Sequence, residues 1–518
     1  MDGVASRSVP IGEVRRLGEF ALLIGVRDAA AARRLARTLT ASPDSGWLEV
    51  VGGLATVMVT LDPDGSDPDE RLPELMTELR HLAADVTVAD AGEDDRGPLV
   101  EVPCVFDGPD LAEVAQLAGG SPADVIALLT AQPLTVAVVG FSPGFAYLAG
   151  LPPALADIPR RARPRPVVPP GSVALAHGHA AVYPTASPGG WQLIGRTGET
   201  FFTPATPPYA RLAPGDRVHF RAGPEGSAVP PPPVEPAEPW APPPTARPVF
   251  RVEEAGLRTV FQDRGRLGMA ALGVPAAGPA DPWSHQLANR LVGNAPSAGA
   301  LEITGRGPTL TCLEAAHVAV VGAAPALRLQ GQPVDRGQVV PVNPGQELVV
   351  GPVRAGLRTY LAVAGGLVGP LVLGSGATDQ LGSLGPGPVA RGAVLWAGQP
   401  SPPLGDHLAA GVDRVVGEGE PITLRVVPGP HPERFAPGAL AALAARPFTV
   451  DGQSNRVGLR LRPTAHAGPP VATVGPTVEL DSQGTVTGAI QVPPDGDPVI
   501  LLGDHATLGG YPVIAVVA

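Results

Sequence analysis

The chain has 518 residues, with 37 cationic side chains against 49 acidic ones and a formal net charge of −12. That length predicts about three or four domains at roughly 100–200 residues each, and the acidic balance excludes the basic footprint of a nucleic-acid binder. Every cationic residue is Arg and no Lys occurs, which excludes a Walker-A lysine, a Schiff base, a Ser-Lys dyad and a biotinyl-lysine carrier, because each needs an ε-amine.

Cys104 and Cys312 are the only cysteines; they supply neither a disulfide framework nor a thiolate zinc site, and read as core thiols of a reducing compartment. No apolar run approaches the ~18–20 residues of a membrane span, and the start Met1-Asp2-Gly3 with Arg15 and Arg16 carries no leader pattern, so the expected location is the cytoplasm. Gly (66) and Pro (65) make up a quarter of the chain beside 44% hydrophobic content. Turn-dense β-structure accounts for both.

In chain order, Leu17 to Val26 reads as a strand, Asp28 to Leu39 as a helix, and Leu54 to Leu61 as a strand. Asp69 to Ala83 follows as a helix with Leu72, Leu75, Leu79 and Leu82 on one face, and Val100 to Phe106 as another strand. This order predicts a small α+β, ferredoxin-like domain over residues 1–98. Ser121 caps a helix that Pro122 starts and that runs to about Thr130. Beyond it, from Leu134 to Phe220, short apolar runs punctuated by Pro-Gly and Gly-Gly predict a β-barrel, which places a barrel domain at 99–222. Residues 223–247, with Pro230 to Pro233 and Pro242 to Pro244, read as a polyproline linker.

The remainder, 248–518, predicts two further barrel lobes, with strands such as Thr309 to Leu313, Gln346 to Val350 and Val499 to Leu502. One helix is expected there, capped by Asp281, started by Pro282 and ended by Gly293. The phrases Leu212-Ala-Pro-Gly-Asp216 and Val342-Asn-Pro-Gly-Gln346 suggest related barrels. The fold class is therefore mostly β with a small α+β N-terminal domain.

Four glycine-rich segments carry the candidate chemistry. In Gly140 to Leu148, the Ser142-Pro143-Gly144 turn at a strand end either presents N–H groups to an anion or closes a hairpin whose Phe141, Phe145 and Tyr147 are core. In Tyr183 to Thr197, Gly189 and Gly190 let a ligand approach the backbone, Trp191 offers a flat wall, and Arg196 can fork onto a carboxylate or phosphate. Upstream, His177 and His179 share a strand face, but no third metal ligand is evident and no metal site is expected. In Thr259 to Gly268, Gln262, Asp263, Arg264 and Arg266 surround a glycine, as a structural ion pair or as an amide-orienting group. In Leu502 to Pro512, Asp504 and His505 precede Gly509-Gly510-Tyr511, and either is a plausible general acid–base group, although adjacent side chains on extended backbone point apart.

These segments also carry a resemblance. Gly140 to Leu148, Val168-Pro-Pro-Gly-Ser-Val173 and Tyr183 to Thr197 resemble the B component of 5-oxoprolinase, the KipI or allophanate hydrolase subunit 1-like type. Thr259 to Gly268, Gly273 to Gly278 with Asp281, Leu287 to Asn294, Val363 to Gly366, Gly488-Ala-Ile-Gln-Val-Pro-Pro494 and Asp504 to Pro512 resemble its C component, the KipA or allophanate hydrolase subunit 2-like type. The chain thus resembles a natural fusion of B and C, and within the wider urea amidolyase family it is similar to the carboxyltransferase portion. Where family members read Gln-Thr before Tyr-Pro this chain has His179-Ala180, and Leu508 replaces a commonly polar residue.

The resemblance implies cyclophilin-like barrel lobes and participation, with a separate A component, in ATP-dependent hydrolysis of 5-oxo-L-proline to L-glutamate. It implies ATP, with Mg2+, as co-substrate and no biotin on this chain. Arg196, Arg266 and the turns at Gly144, Tyr183, Gly189, Gly190, Trp191, Gln262, Gly509, Gly510 and Tyr511 are then expected to bind substrate or nucleotide. Asp263, Asp504 or His505 is expected to act as the base. The linker permits closure of the halves on each other or within a homo-oligomer. The alternatives are a biotin-dependent carboxyltransferase component and a KipI-like inhibitor of a histidine kinase.

Overall fold

A computed structural model describes residues 9–41, 46–62, 68–88, 96–223, 240–400, 421–464, 471 and 480–518. Most of the expected proline linker lies outside these residues. The chain divides into two compact units: Met1–Glu235 with Leu267–Pro275 and Leu424–Ala518, and Pro236–Arg266 with Ala276–Thr423. The first unit therefore draws on both sides of the linker.

The first unit begins with a four-stranded antiparallel sheet in the order Val14–Arg16, Ala21–Gly25, Thr56–Leu61, Trp47–Gly52, covered by helices Ala29–Thr40 and Pro68–Val88. Asp28 caps the first helix by accepting from Ala31 N at 2.8 Å. Ala31, Ala32, Leu35 and Leu39 recur at helical spacing and are buried. With Leu22, Ile24, Val57, Val59, Leu72, Leu75 and Leu79 they fill the space between sheet and helices.

A seven-stranded sheet follows, in the order Gln192–Arg196, Ser172–Ala176, His179–Val182, Ala146–Ala149, Leu134–Val139, Arg217–Ala222, Leu99–Cys104. Its two edges meet, because Val105 and Arg196 exchange backbone hydrogen bonds of 2.9 and 2.8 Å. The sheet is thereby a nearly closed barrel, and Val102, Val136, Leu148, Val173, Leu175, Ile194 and Phe220 form its core with residues of the helices Leu111–Leu117 and Pro122–Thr130. The second helix has the expected cap, with Ser121 and Asp124 forming a capping box.

The C-terminal lobe is a six-stranded sheet, Val426–Pro428, Val513–Val517, Ala489–Gln491, Val499–Leu501, Gly458–Pro463, Phe448–Val450, and a two-stranded ribbon, Gln483–Gly484 with Leu508–Gly509. It shares a core with the first half: Leu17, Leu23, Met58, Phe145, Tyr183 and Trp191 pack in one cluster with Ala489, Leu501, Leu508, Val513 and Val516.

The second unit holds a seven-stranded and a five-stranded sheet, the latter ordered Arg258–Gln262, Ala300–Thr304, Arg358–Val363, Ala316–Gly322, Val339–Val342. Val249, Leu301, Leu310, Val318, Leu348, Leu361 and Val363 form its core. Helix Pro282–Leu291 starts under its Asp281 cap, which accepts from Ser284 N at 3.0 Å, and Gly293 follows at φ 78°. The paired phrases do form the same turn. Asp216 N donates to Ala213 O and Gln346 N to Asn343 O, each at 3.0 Å, while the side chains of Asp216 and Gln346 accept from the N–H of Ala213 and Asn343, each at 2.8 Å.

Candidate functional site

In the first unit, three of the glycine-rich segments reach a common region. Phe145 makes edge-on ring contacts with Phe141, Tyr147, Tyr183 and Trp191 at centroid distances between 5.1 and 5.6 Å. Tyr183 and Trp191 are 1% and 7% exposed, so they act as core instead of the ligand wall expected of Trp191. Gly189 serves this packing: a Cβ there would stand 2.3 Å from the Tyr183 hydroxyl. Leu508 lies directly on Gly140, where a Cβ would be 2.3 Å from its side chain.

The expected anion cradle at Gly144 is not formed. Gly144, at φ 72°, donates its N–H to Leu272 O at 2.9 Å, and Phe145 N donates to Ser142 O at 3.0 Å. Leu272 belongs to the segment Leu267–Pro275, which contains the short helical turn Ala270–Leu272 and is held at its start by Glu49. Glu49 Oε1 accepts from Gly268 N at 2.9 Å and from Ala270 N at 3.4 Å. Burial raises the Glu49 carboxyl above its ordinary pKa, against the lowering effect of those N–H groups.

Asp504, one of the expected bases, is held by an ion pair. It is fully buried and gripped by Arg456, with Nε to Oδ2 at 3.0 Å and Nη2 to Oδ1 at 2.8 Å. Both carboxylate oxygens thus accept from one buried guanidinium, which holds Asp504 as half of an ion pair. His505, beside it, is differently placed. Its Nδ1 lies 2.8 Å from Ala506 O and 3.1 Å from Thr485 Oγ1. A carbonyl only accepts, so Nδ1 carries the proton and Nε2 of the neutral ring keeps its lone pair. Burial lowers the His505 pKa, which keeps the ring neutral.

Around His505 lie residues that the sequence does not single out. A Cβ on Gly509 would meet Gln491 Nε2 at 2.6 Å and Thr485 Cγ2 at 3.0 Å. At the start of the ribbon's first strand, His431 Nδ1 accepts from Val513 N at 3.1 Å while its Nε2 faces the Gln483 side-chain amide. Gly509, Gly510 and Tyr511 are half-buried, and Leu480 N donates to Gly510 O at 2.9 Å. The one signal in the sequence is a Gln inside the apolar strand of Gly488 to Pro494.

The remaining candidates are structurally engaged. Arg196 forks onto Asp107 at 2.8–3.1 Å on the surface. In the second unit, Arg266 is 1% exposed and donates to Val372 O at 2.9 Å and Ser375 O at 3.3 Å. Asp263 accepts from Ser375 Oγ, Gly376 N and Gly265 N at 2.5, 2.7 and 2.8 Å, which makes it a loop clamp. Gln262 is buried and donates to Thr378 O at 2.9 Å. Beside it, His285, Glu302 and Tyr360 form a buried polar group in which the Tyr360 hydroxyl donates to Glu302 at 2.8 Å. His179 Nδ1 lies 2.9 Å from His177 O. Among the described residues no three His, Cys, Asp or Glu side chains come together as a metal site.

Residues 7–212 match the family described as carboxyltransferase domain, subdomain C and D, and residues 272–518 match carboxyltransferase domain, subdomain A and B. The chain is 34% identical over 272 residues to the C component of 5-oxoprolinase from Escherichia coli, covering 52% of this chain and 84% of that protein. It is 38% identical over 199 residues to the B component of 5-oxoprolinase from Escherichia coli, covering 37% of this chain and 85% of that protein. The chain belongs to the family of 5-oxoprolinase B and C components, with both parts fused.

Within that family the carboxyltransferase regions also occur elsewhere. Urea amidolyase of Lachancea kluyveri is 33% identical over 287 residues, but the match covers only 16% of that enzyme. The crystal structure of TTHA0988 matches with a TM-score of 0.77 and 34% identity, over 98% of this chain and 96% of that one. The fused B and C arrangement therefore has a solved counterpart along its whole length.

Proposed function

We propose that this chain is the combined B and C component of an ATP-dependent 5-oxoprolinase, which opens 5-oxo-L-proline to L-glutamate together with a separate A component. The observation that carries the reading is the pairing itself. Relatives named as the B and C components align with successive parts of one polypeptide, and the C-like segments Leu267–Pro275 and Leu424–Ala518 lie in the same compact unit as the B-like half. A lactam is a poor electrophile; phosphorylating its oxygen opens the ring carbon to attack by water, after which the C–N bond breaks, the ring nitrogen leaves as the protonated amine, and hydrolysis releases the phosphoryl group as phosphate.

In this reading His505 takes the proton of the attacking water through Nε2, its ring held by the Nδ1 hydrogen bond to Ala506 O. Asp263 and Asp504 serve as scaffold. Of the two arginines expected to hold phosphate, Arg196 is forked onto Asp107 and Arg266 is buried against backbone carbonyls, so neither is assigned to a triphosphate and no ATP or Mg2+ contact is given to this chain.

The test is release of ADP and glutamate from 5-oxoproline plus ATP. Release only when the A component is added supports the reading; no release beside an A component that is competent with another B and C pair overturns it. The carboxyltransferase descriptions of both matched families favour a second reading, transfer of a carboxyl group from a biotinylated carrier. This lysine-free chain cannot carry the biotin itself, so that reading requires a separate carrier and predicts inhibition by avidin.

A further inference from the structure

The ribbon of Gln483–Gly484 and Leu508–Gly509 has two unlike faces. Gly484 opposes Leu508 and Gln483 opposes Gly509, and the pairing continues as Thr485 N donates to Thr507 O at 3.2 Å. Because side chains alternate along a strand, Leu508 and Gly484 share one face, and Gln483, Thr485, Thr507 and Gly509 share the other. The first face is apolar: Leu508 sits on Gly140, and a Cβ at Gly484 would meet the Met58 side chain at 2.6 Å. This explains why an apolar residue is tolerated at position 508. The second face is polar, and the amide of Gln491 hangs over it above Gly509.

Two donors on this polar face are unspent. Gln491 Nε2 and Thr507 Oγ1 are buried without a hydrogen-bond partner, in residues 8% and 3% exposed. An unpaired buried donor costs stability, so two of them beside a glycine with no Cβ mark a place where an acceptor belongs. Both donors are neutral, and the buried guanidinium of this lobe, Arg456, is already neutralised by Asp504. A carboxylate here would be buried without a counter-charge, whereas a neutral carbonyl needs only the donors.

We propose that Gln491 and Thr507, over Gly509, form a binding subsite for the carbonyl oxygen of a small neutral amide or lactam. The subsite deepens the 5-oxoprolinase reading and rests on it for the identity of the substrate. Thr485 connects it to the base, since its methyl group lines Gly509 and its hydroxyl touches His505 Nδ1.

The test is calorimetric titration of the full chain, alone and with the A component, using 2-pyrrolidinone, which has the lactam carbonyl without the carboxylate, and L-proline, which has the reverse. The expected result is binding of 2-pyrrolidinone and not of L-proline, weakened about tenfold by Gln491→Leu and less by the near-isosteric Thr507→Val. The unliganded melting temperature of Gln491→Leu should stay level or rise, because the amide it removes has no protein partner; a structural role would lower it. If Gln491→Leu does melt lower, Thr507→Val decides alone. Equal affinity of wild type and both variants, or no binding by the folded wild type, overturns the subsite. Turnover of 5-oxoproline with a KM that Gln491→Leu leaves unchanged overturns the subsite and spares the function. Binding of 2-pyrrolidinone that Gln491→Leu weakens, in a protein without turnover, overturns the function and spares the subsite.

Discussion

Arg456 and Asp504 form a two-pronged ion pair at 3.0 and 2.8 Å with both side chains out of water. Removing one member leaves the other charge buried and unpaired. Asp504→Ala should therefore destabilise the protein by about 3–5 kcal/mol, with loss of activity following loss of structure. Urea unfolding of the variant beside Arg456→Met and the double variant checks this. A double variant more stable than either single one is the expected pattern; a stable Asp504→Ala protein with turnover abolished would instead restore Asp504 to the chemistry.

His431 supplies a sharp acid limit. Burial lowers its pKa from 6.5 to about 3, and its Nδ1 must stay unprotonated to accept from Val513 N. The unfolded chain takes up this proton below about pH 6.5 and the folded chain does not, so the stability it contributes is present above that pH and is lost as pH falls toward 3. Urea midpoints measured from about pH 7 to pH 4 should fall steeply, and His431→Asn should flatten that slope.

Glu49 works in the opposite sense. Its folded-state pKa is raised, so its contribution is complete at low pH and is lost as pH rises through the folded value. Its contacts to Gly268 and Ala270 use a single oxygen, Oε1, which glutamine retains. Glu49→Gln should raise the melting temperature at about pH 7–8, by less than ~1 kcal/mol in stability because the side chain is partly solvated, and should make no difference near pH 4. Equal melting curves at every pH would refute the assignment.

Gly273 holds φ 78°, and a Cβ on it would stand 2.2 Å from Ser142 O. Strain and collision add, so Gly273→Ala should cost about 2 kcal/mol or more and loosen the Gly144–Leu272 hydrogen bond. Hydrogen exchange at Gly144 N is the direct readout, since faster exchange there than at Val136 N would locate the damage.

What the sequence revealed was local. Ser121-Pro122 and Asp281-Pro282 announced their helices because a cap and a first-turn proline act within four residues, and the two Pro-Gly turns could be matched because their side chains bond their own backbone. The strand Trp47–Gly52 escaped notice because its side chains are nearly all half-buried and show no alternation. The adjacent Asp504 and His505 looked alike as candidate bases, and only a guanidinium 48 residues away separates them. The polar face over Gly509 needed strand pairing that no spacing along the chain encodes. Trp191 reads as a ligand wall and Tyr183 as a binding residue, whereas ring-to-ring packing with Phe145 occupies both.

Gly18 lies against Val516, close enough that a Cβ would touch its methyl group at 3.0 Å, and Arg15 donates to Pro430 O at 2.6 Å. Strands early in this sequence thus wait for strands made several hundred residues later before their apolar side is covered. Loop closure over so long a stretch of chain is slow and leaves that surface open to wrong partners until the later strands are made. When the same regions are made as two polypeptides, the wait becomes an encounter between molecules, and its speed then depends on concentration. Joining them in one chain replaces that encounter with a tether.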